Sequence, residues 1–552
     1  MRHNFMRVSA AVGGIALVLA TGASAESLDA AGLAGMKRAE RSPAAPAGEA
    51  VATRPARRLS RAERALLRAR ALFHLRAVQR RHGWVTAPGP QAATRVLQEL
   101  ALTRRGLAPR QRRRAGRLMA RPTDGAGDQF DDGYETENVE NACISQPQYA
   151  ACVHWVEETA DAPPLDDGNV NDIPDQIDLT LATVDEVLAL QVVDMGYRAP
   201  LPDAGPADGH GPNAGLDVYV ADTGADGLFG YCAADPGATG PARPAYCVVD
   251  DDYDPGQFPP PAASGSAALQ VAVAHELFHA IQFAYEYSAA DQWLKEGTAA
   301  WMEGRAYPDV DSNLLYLAES PLMQPEVPLD AFGGAGDAND SEYGAWVFWQ
   351  FLTEWLANDD VVREVWESTA PAGGTNRTTV EALRQVLPGH PSSPHCYAYC
   401  SDPATFRAGF AEFGVWNALY PLTYGDGDEY LEALDETLSP FDAAFELSSD
   451  YDDTGQRSLP LARLSTRQVS VAVLPSQVST TQVVFRSDGG DVPGNATEAT
   501  ALRIIGNTIS VAPIGTDSLT GHTNVNELVV LGSNAAASGS GPFRYFARLE
   551  PE

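Results

Sequence analysis

Several features by which protein classes are recognised are scarce or missing in this chain. Its 552 residues include 37 arginines but only 2 lysines, and its 6 cysteines form no Cys-x-x-Cys pair. The missing cysteine spacing argues against zinc bound by cysteines. No glycine-rich phosphate loop, nucleophile elbow or dinucleotide fingerprint is present either, which argues against nucleotide-dependent enzymes and serine hydrolases.

Long apolar runs are also missing, with one exception at the N-terminus. Residues 1–25 combine two arginines, an apolar run over 8–20 and the small residues Ala23, Ser24 and Ala25. This arrangement predicts a secretory signal peptide, which is too short to span a membrane. No other apolar run approaches membrane length. We therefore expect a secreted protein, extracellular or periplasmic, with no membrane span.

The cysteines of an exported chain favour disulfide bonds. They occur as three couples that are close in sequence: Cys143 with Cys152, Cys232 with Cys247, and Cys396 with Cys400. Among the connectivities open to six cysteines, we expect these local pairings.

The net charge of −34 conceals a division of the chain. Residues 26–125 carry 22 basic and 7 acidic side chains, whereas residues 126–552 carry 15 basic and 66 acidic ones. A basic block can indicate nucleic-acid binding, but this block lies between a signal peptide and a strongly acidic body. We interpret it as a propeptide that complements the acidic body, assists its folding and is then removed. No nucleic-acid partner is expected.

Two stretches of the basic block, 59–84 and 92–102, place apolar residues among arginines with helical periodicity. We therefore expect a helical propeptide. The arginine-rich run at 110–114 and the stretch to Arg121 offer sites for its proteolytic removal.

A His-Glu-x-x-His motif lies in the middle of the chain, at His275, Glu276 and His279. Good helix formers without Pro or Gly fill 266–287, which predicts one long helix. The i, i+4 spacing then places both imidazoles on one face, as binding to a single metal ion requires. A catalytic zinc ion takes three protein ligands and keeps one position for water. Glu276 is the expected general base toward that water.

The third ligand must come from another element. The extended metzincin motif requires a histidine at position 285, where this chain has Tyr285, so that pattern is excluded. Glu296, in Trp-Leu-Lys-Glu-Gly, opens a second predicted helix and is the better candidate. Glu303, two turns later, is placed to orient a histidine. The alternative is a core helix whose histidines are satisfied by hydrogen bonds.

With the segments HELFH and WLKEGTAAWME, the chain resembles the gluzincin zinc metallopeptidases, whose third ligand is a glutamate on the next helix. More narrowly, it resembles a family of secreted metalloproteases of myxobacterial type over about 143–420, including DAPPLDDGNVNDIPD, LDVYVADTG and GLFGYC. The resemblance implies zinc on His275, His279 and Glu296, with Glu276 as the base.

The same resemblance implies a small sheet ahead of the active helix, with an edge strand that pairs with extended substrate. Residues 216–221 and 245–250 alternate like strands of such a sheet. Residues 341–356 predict a third helix rich in aromatic side chains. Tyr343 at its start is a candidate for polarising the substrate carbonyl opposite the zinc; the alternative is a core or surface tyrosine.

A loop before a predicted helix at 179–194 carries oxygen-bearing side chains at positions 1, 3, 5, 9 and 12. This is the spacing of an EF-hand-like calcium loop, and its candidate ligands are Asp167, Asn169, Asn171, Asp175 and Asp178. The loop departs from the pattern because Asp172 replaces the usual glycine and Asp178 is shorter than the usual glutamate. The alternative is an Asx-rich turn that caps the helix.

One acidic run, Asp250, Asp251, Asp252 and Asp254, indicates either a solvated loop or a second cation site. His154 is interpreted as a structural histidine rather than a ligand.

Beyond residue 448, short β-type runs separated by Gly, Asn, Asp and Ser replace the helical pattern. They predict a β-sandwich and lie at 469–474, 481–486, 501–505, 508–511, 527–531 and 543–549.

The sequence thus predicts an α+β protein: a signal peptide (1–25), a helical basic propeptide (26–125), a zincin-like catalytic domain with a small sheet, the HExxH helix and a helical lobe (126–447), and a C-terminal β-sandwich (448–552). The predicted function is a secreted, monomeric zinc endopeptidase that hydrolyses protein or peptide substrates through a zinc-activated water. Its own propeptide is the expected partner before processing, and calcium is a second candidate cofactor. The alternatives are a calcium-stabilised extracellular binding protein with a degenerate metal site and a zinc amidase acting on cell-wall peptides.

Overall fold

The computed structural model describes most of the chain from residue 59 onwards and two short segments before it. The described residues are 28–29, 37–38, 59–82, 89, 91–124, 134, 139–203, 211–258, 263–288, 291–331, 341–370, 374–391, 393–401, 403–448, 454–455, 457–473, 481–488, 497–505, 508–514, 520–523 and 527–551. The predicted signal peptide lies outside them.

Helices and strands alternate in the first half of the chain, and strands dominate the end. The α-helices are α1 (Arg61–Gln79), α2 (Ala93–Thr103), α3 (Pro109–Arg117), α4 (Asp175–Leu188), α5 (Gly265–Tyr285), α6 (Gln292–Ala306), α7 (Ser341–Gly344), α8 (Trp346–Leu356), α9 (Asp360–Thr369), α10 (Thr379–Val386), α11 (Phe406–Ala418), α12 (Tyr420–Thr423) and α13 (Gly427–Ala433). The strands are β1 (Leu28–Asp29), β2 (Lys37–Arg38), β3 (Glu140–Ser145), β4 (Ala150–Trp155), β5 (Leu216–Ala221), β6 (Gly230–Ala234), β7 (Ala245–Asp250), β8 (Thr437–Leu438), β9 (Ala443–Leu447), β10 (Arg457–Leu461), β11 (Ser465–Val473), β12 (Thr481–Asp488), β13 (Thr497–Ile505), β14 (Thr508–Ile514), β15 (Thr520–Thr523), β16 (Glu527–Asn534) and β17 (Gly541–Pro551).

The chain divides into two compact units. The larger comprises Arg41–Pro394 and Asp402–Phe406, and the other comprises Met1–Glu40, His395–Ser401 and Arg407–Glu552.

A five-stranded mixed sheet forms the centre of the larger unit, in the order β3-β4-β5-β7-β6. Strands β4, β5 and β7 run parallel, and β3 and β6 pair antiparallel at the two edges. Every residue of β5, β6 and β7 is buried. Burial along a whole strand is the pattern of a sheet covered on both faces.

Each face of this sheet has its own helical cover. On one face, Val218 and Val249 share a core with Leu277 of α5 and with residues of α4. On the other face, Tyr219 and Val248 share a core with residues of α1 and α2, including Leu97. The helices of the basic segment 26–125 therefore belong to the same packed unit as the HExxH helix.

A helical lobe packs behind α5. Helix α6 lies against both α5 and α8. Its Trp293 stacks on Trp349 with ring centroids 5.3 Å apart, and Trp349 Nε1 donates to the Trp293 carbonyl at 3.2 Å. This aromatic packing fixes the position of the first turns of α6.

Besides the short sheet β2-β8, the second unit contains two larger sheets, β1-β14-β13-β16-β11-β9 and β10-β17-β12-β15. Their facing side chains form one core that includes Leu461, Val469 and Phe543. Helix α11 packs on the six-stranded sheet through Val415. All six strands predicted beyond residue 448 are confirmed.

The described elements confirm an α+β protein and most of its predicted helices. The third helix of the prediction is divided at Ala345 into α7 and α8. Helix α6 begins at Gln292, so Glu296 lies in its second turn, and the prediction that Glu296 opens the helix was wrong. Strands β3, β4 and β6 were not predicted, because short runs rich in Ala and Cys give little alternation.

All three local disulfide predictions are confirmed: Cys143–Cys152, Cys232–Cys247 and Cys396–Cys400. The first two join residues directly opposite each other on paired strands. Among the described residues, every helix is too short or too polar to cross a membrane.

Arg121, near the end of the basic segment, anchors that segment to the acidic body. Its guanidinium is 1% exposed and forms ion pairs with Asp217, with Asp235 at 2.5 Å and with Asp203 at 3.6 Å. Tyr219 accepts a further hydrogen bond from it at 3.1 Å. The basic segment and the acidic body are thus joined by a fully buried ion pair, between Arg121 and Asp217.

Replacing Arg121 by Met should lower the free energy of unfolding of this unit by about 3–5 kcal/mol, because the carboxylates around it lose the guanidinium that compensates their charge. Urea unfolding followed by tryptophan fluorescence measures the change. Arg112→Met removes an exposed arginine and should change stability by less than about 0.5 kcal/mol. Equal midpoints for the two variants would contradict the assignment of Arg121 as an anchor.

Candidate metal centre

Three candidate ligand atoms converge between α5 and α6. The Nε2 atoms of His275 and His279 lie 3.1 Å apart, one helical turn from each other on α5. Glu296 Oε2 on α6 lies 3.3 Å from His279 Nε2 and 3.7 Å from His275 Nε2. The predicted ligand set is therefore brought together.

These distances fit one zinc ion. Ligand atoms about 2.0–2.1 Å from a tetrahedral zinc ion lie about 3.3–3.4 Å from one another, and the three separations here are 3.1, 3.3 and 3.7 Å. All three residues are buried. The donor set, two imidazoles and one carboxylate, also leaves a fourth position open, as catalytic zinc sites do.

The second nitrogen of each imidazole is occupied. His275 Nδ1 lies 2.7 Å from Glu303 Oε1, and His279 Nδ1 lies 2.9 Å from Gln282 Oε1. Because both partners are acceptors, each Nδ1 carries the proton in a neutral ring. Both Nε2 lone pairs then face each other and the carboxylate of Glu296. A metal ion or a proton between these atoms removes the repulsion.

Of the two residues that orient the imidazoles, Glu303 and Gln282, only Glu303 was predicted from the sequence. The contact of Glu303 with a histidine matches the expectation, and Ser312 donates to its other oxygen. Gln282 was missed. It is held by α6, since its Nε2 donates to the Lys295 carbonyl at 2.9 Å, and its spacing of three residues from His279 was the only available signal.

The electrostatics of the buried cluster favour a bound cation. Burial lowers the pKa of His275, but hydrogen bonds to Glu296 and Glu303 outweigh it and raise that pKa to about 10. Burial raises the pKa of Glu296, but the two histidines hold it well below its usual range. Burial lowers the pKa of the neighbouring Lys295 to about 8, against the charges of Glu286, Glu296 and Asp291.

Glu276 lies beside the ligands and against the edge strand β6. Its side chain is 1% exposed, and burial raises its pKa while His279 and His275 lower it. Gly230 of β6 permits this approach: a Cβ there would lie 3.4 Å from Glu276 Cγ and 2.8 Å from the Val248 carbonyl oxygen. A larger residue at position 230 would clash with the Val248 carbonyl oxygen and contact the side chain of Glu276.

Helix α2 of the basic segment covers this centre. Thr94 Oγ1 donates to Glu276 Oε2 at 2.7 Å and accepts from the Cys232 backbone N–H of β6 at the same distance. Arg95 pairs with Glu342 at 3.1 Å, and Lys295 Nζ donates to Gln98 Oε1 at 3.4 Å.

Just before α2, Gln91 Nε2 donates to Glu303 Oε1 at 3.4 Å. One face of the basic segment therefore contacts the predicted base, the residue that orients His275, and the edge strand. None of these contacts was predicted from the sequence. As a result His275, Glu276 and Glu296 are at most 1% exposed.

Tyr343 lies close to the cluster on the short helix α7. Its ring centroid is 6.1 Å from that of His275 and 5.1 Å from that of Tyr316. Burial raises its pKa well above the ordinary value, so the hydroxyl stays protonated. The catalytic role of Tyr343 stays a prediction.

The predicted calcium loop forms an exposed, internally hydrogen-bonded turn ahead of α4. Asp178 accepts from Asn169 Nδ2 at 2.7 Å and from Asn171 Nδ2 at 3.0 Å. Asp167 accepts from the Asn171 backbone N–H at 3.2 Å, and Asp175 accepts from the Gly168 N–H at 3.1 Å. The five side chains thus lie in one loop, and calcium binding by them stays a prediction.

His154 is buried and not at the centre described above. Its Nε2 lies 2.9 Å from Asp217 Oδ1, next to Arg121. This is the contact of a structural histidine.

Comparison with known proteins adds no identification. No model of a known protein family matches the chain, and no curated protein matches it significantly.

Gly297 should be needed to hold Glu296 in place. A Cβ at this position would lie 3.0 Å from Trp349 Nε1 and 3.2 Å from Ala345. Gly297→Ala should therefore force α6 away from α8 and lower the free energy of unfolding by about 1–3 kcal/mol. Chemical denaturation measures this. The control is Gly389→Ala, where no atom lies within 4 Å of the added Cβ; an equal effect of both changes would refute the packing argument.

Proposed function

We propose that this protein is an exported zinc-dependent endopeptidase, synthesised with a basic propeptide that covers its active site. The observation that carries the proposal is the convergence of two imidazole Nε2 atoms and the Glu296 carboxylate, with both Nδ1 atoms committed to acceptors. The resemblance of the HELFH and WLKEG segments to gluzincins supports it independently of this geometry.

His275, His279 and Glu296 would hold the zinc ion. Bound there, zinc would supply Lewis acidity toward a peptide carbonyl and would acidify a water. The protein would contribute by holding these three ligands in fixed orientations. Glu303 and Gln282 fix the ring orientations and keep both Nε2 lone pairs directed inward.

Glu276 is the residue proposed to move the proton. Its carboxylate has no role in fixing the imidazoles, and it lies one residue from His275 on the same helix. It would accept a proton from the attacking water and deliver it to the amine that leaves.

Substrate is proposed to lie along the edge strand β6. An edge strand offers unpaired backbone groups to an extended peptide. The Cys232 N–H points away from β7 and is used by Thr94. A substrate carbonyl hydrogen-bonded to this group would lie next to Glu276, because a single threonine oxygen bridges the two at 2.7 Å on each side.

The same contacts make the unprocessed chain latent. Thr94 Oγ1 is hydrogen-bonded to both the Cys232 N–H of the edge strand and the carboxylate of Glu276, the proposed base. The proposed zinc ligands are at most 1% exposed. A polypeptide substrate cannot reach a centre closed in this way. Activity then requires the removal or displacement of α2.

The structure suggests where processing would act. Arg110, Arg112 and Arg113 on α3 are exposed, whereas Arg121 is buried among carboxylates. Cleavage in α3 would release α1 and α2 and leave the Arg121 anchor in the body.

The direct test of the function is metal and peptidase analysis of the processed protein. We expect one equivalent of zinc and hydrolysis of casein that a chelator stops and zinc restores. Glu276→Gln should retain the zinc and lower kcat/KM by about 100- to 10,000-fold, because it removes the general base.

Glu158→Gln, an exposed site, is the matched control and should retain full activity. Zinc-free wild-type protein, or a Glu276→Gln variant as active as the control, would rule out the proposal. Hydrolysis of peptidoglycan but of no protein substrate would assign the centre to an amidase instead.

Latency is tested on the unprocessed chain with a quenched peptide substrate. Thr94→Ala removes a hydrogen bond to a charged group, worth about 1.5–3 kcal/mol, and should raise the residual activity about 10- to 100-fold. Thr103→Ala, on the same helix, removes only bonds to the helix's own Glu99 and Leu100 carbonyls and should have no such effect. Unprocessed protein as active as the processed form would contradict latency.

A further inference from the structure

We infer that Asp222, Asp250 and Asp251 form a second cation site, of the calcium class, between the turn after β5 and the loop after β7. One carboxylate oxygen from each residue lies within 4.8 Å of the others. This site is separate from the candidate zinc ligands and from the EF-hand-like loop. It does not depend on the proposed peptidase function.

The three carboxylates come from two segments. Asp222 follows β5 directly, Asp250 ends β7, and Asp251 follows it. Asp250 is fully buried and Asp251 is 8% exposed. The two later residues of the acidic run, Asp252 and Asp254, do not join the group.

Two buried oxygens at this place have no hydrogen-bond donor in the part of the chain that the structure describes. They are Asp251 Oδ1 and Gln257 Oε1. The Gln257 side chain is attached to the group, since its Nε2 donates to Asp222 Oδ1 at 2.8 Å. Its Oε1 and Asp250 Oδ1 both lie within 3 Å of the same point, the Cβ position of Gly224. Buried oxygens without donors are ordinarily rare.

Only neutral donors otherwise contact these carboxylates. Asp250 accepts from the Gly224 N–H at 2.5 Å and from the Tyr253 N–H at 2.7 Å, and Asp222 accepts from the Ala225 N–H at 2.9 Å. Among the described residues, no Lys, Arg or His forms an ion pair with any of the three. Within the described part of the chain, no basic side chain therefore compensates their negative charge.

A bound cation is one way to remove this repulsion, and a proton is the other. Burial and the charges of Asp250, Asp252 and Asp222 raise the pKa of Asp251 to about 8, and burial raises that of Asp250 to about 6. Without a cation, the group would carry a proton at neutral pH. The orphaned oxygens Asp251 Oδ1 and Gln257 Oε1 favour the cation, because one shared proton cannot serve both.

Calcium fits this donor set. It takes oxygen ligands at about 2.3–2.6 Å, so two oxygens on one ion are at most about 4.6–5.2 Å apart, as they are here. Three carboxylates and one amide oxygen leave positions for water in its six- to eight-fold coordination. No nitrogen or sulfur ligand is present to favour zinc.

The cation would join the two segments that lead to the catalytic elements. The turn after Asp222 continues into β6, and the loop after Asp251 continues into α5. This loop already contacts the start of α5, where the Gly265 N–H donates to the Tyr253 carbonyl at 2.9 Å. Binding would fix the loop in this position.

Terbium luminescence on the full-length chain tests the site, with calcium as competitor. The Tyr253 hydroxyl accepts a hydrogen bond from the Asp250 backbone N–H at 3.4 Å, so excitation of tyrosine should sensitise a terbium ion bound there. We expect saturable emission that calcium displaces. Asp251→Asn and, separately, Asp222→Asn should weaken terbium binding at least 10-fold.

Two control variants distinguish terbium bound at this site from terbium bound elsewhere on the chain. Asp254→Asn removes the same charge from an exposed neighbour, and Asp178→Asn disables the EF-hand-like loop; both should retain the tyrosine-sensitised signal. Absence of emission from the wild type, loss only in Asp178→Asn, or unchanged affinity in both Asp251→Asn and Asp222→Asn would overturn the inference. If Asp251→Asn does not fold, Asp222→Asn against Asp254→Asn decides the question.

Discussion

Two imidazole Nε2 atoms held close together inside the protein are the constraint on which the candidate metal centre depends. The Nε2 atoms are 3.1 Å apart, and neither ring can turn away because Glu303 and Gln282 hold the opposite nitrogens. Holding Gln282 requires the Lys295 carbonyl, and holding Glu296 requires the close approach of α6 to α8 at Gly297. The helix packing of the lobe therefore helps to fix the geometry of the candidate metal centre.

Charge explains how a basic segment comes to lie over an acidic body. Arg121 is buried among carboxylates, and Arg95 is paired with Glu342 close to the centre. Between them, α2 places its apolar residues on the sheet and its polar residues on the centre. An apolar contact alone would hold α2 on the sheet, but it would not direct Thr94 to both Glu276 and the Cys232 N–H. The polar contacts therefore determine which residues of α2 face Glu276 and β6.

The features that depend on local spacing were predicted well from the sequence. The HExxH helix, the strands β5 and β7 and the three disulfides follow from patterns within a few residues. Thr94 could not be found in this way, because its partners Glu276 and Cys232 lie 182 and 138 positions further along the chain. Asp222 likewise lies 28 positions before Asp250, and only the pairing of β5 with β7 brings them together. Of the four residues in the acidic run, Asp250 and Asp251 are the two whose carboxylate oxygens lie close to that of Asp222.

The topology of the five-stranded sheet explains where both candidate cation sites lie. Strands β5 and β7 are parallel neighbours, so the residues that follow them meet at the same edge of the sheet, which brings Asp222 to Asp250 and Asp251. Strand β6 is antiparallel to β7 and begins opposite Val249, next to that cluster. Its other side faces α2 and Glu276. A cation between the two loops would therefore lie near Gly230, the first residue of β6, which also lies beside Glu276. The two candidate sites are chemically separate, but the same strand lies against both.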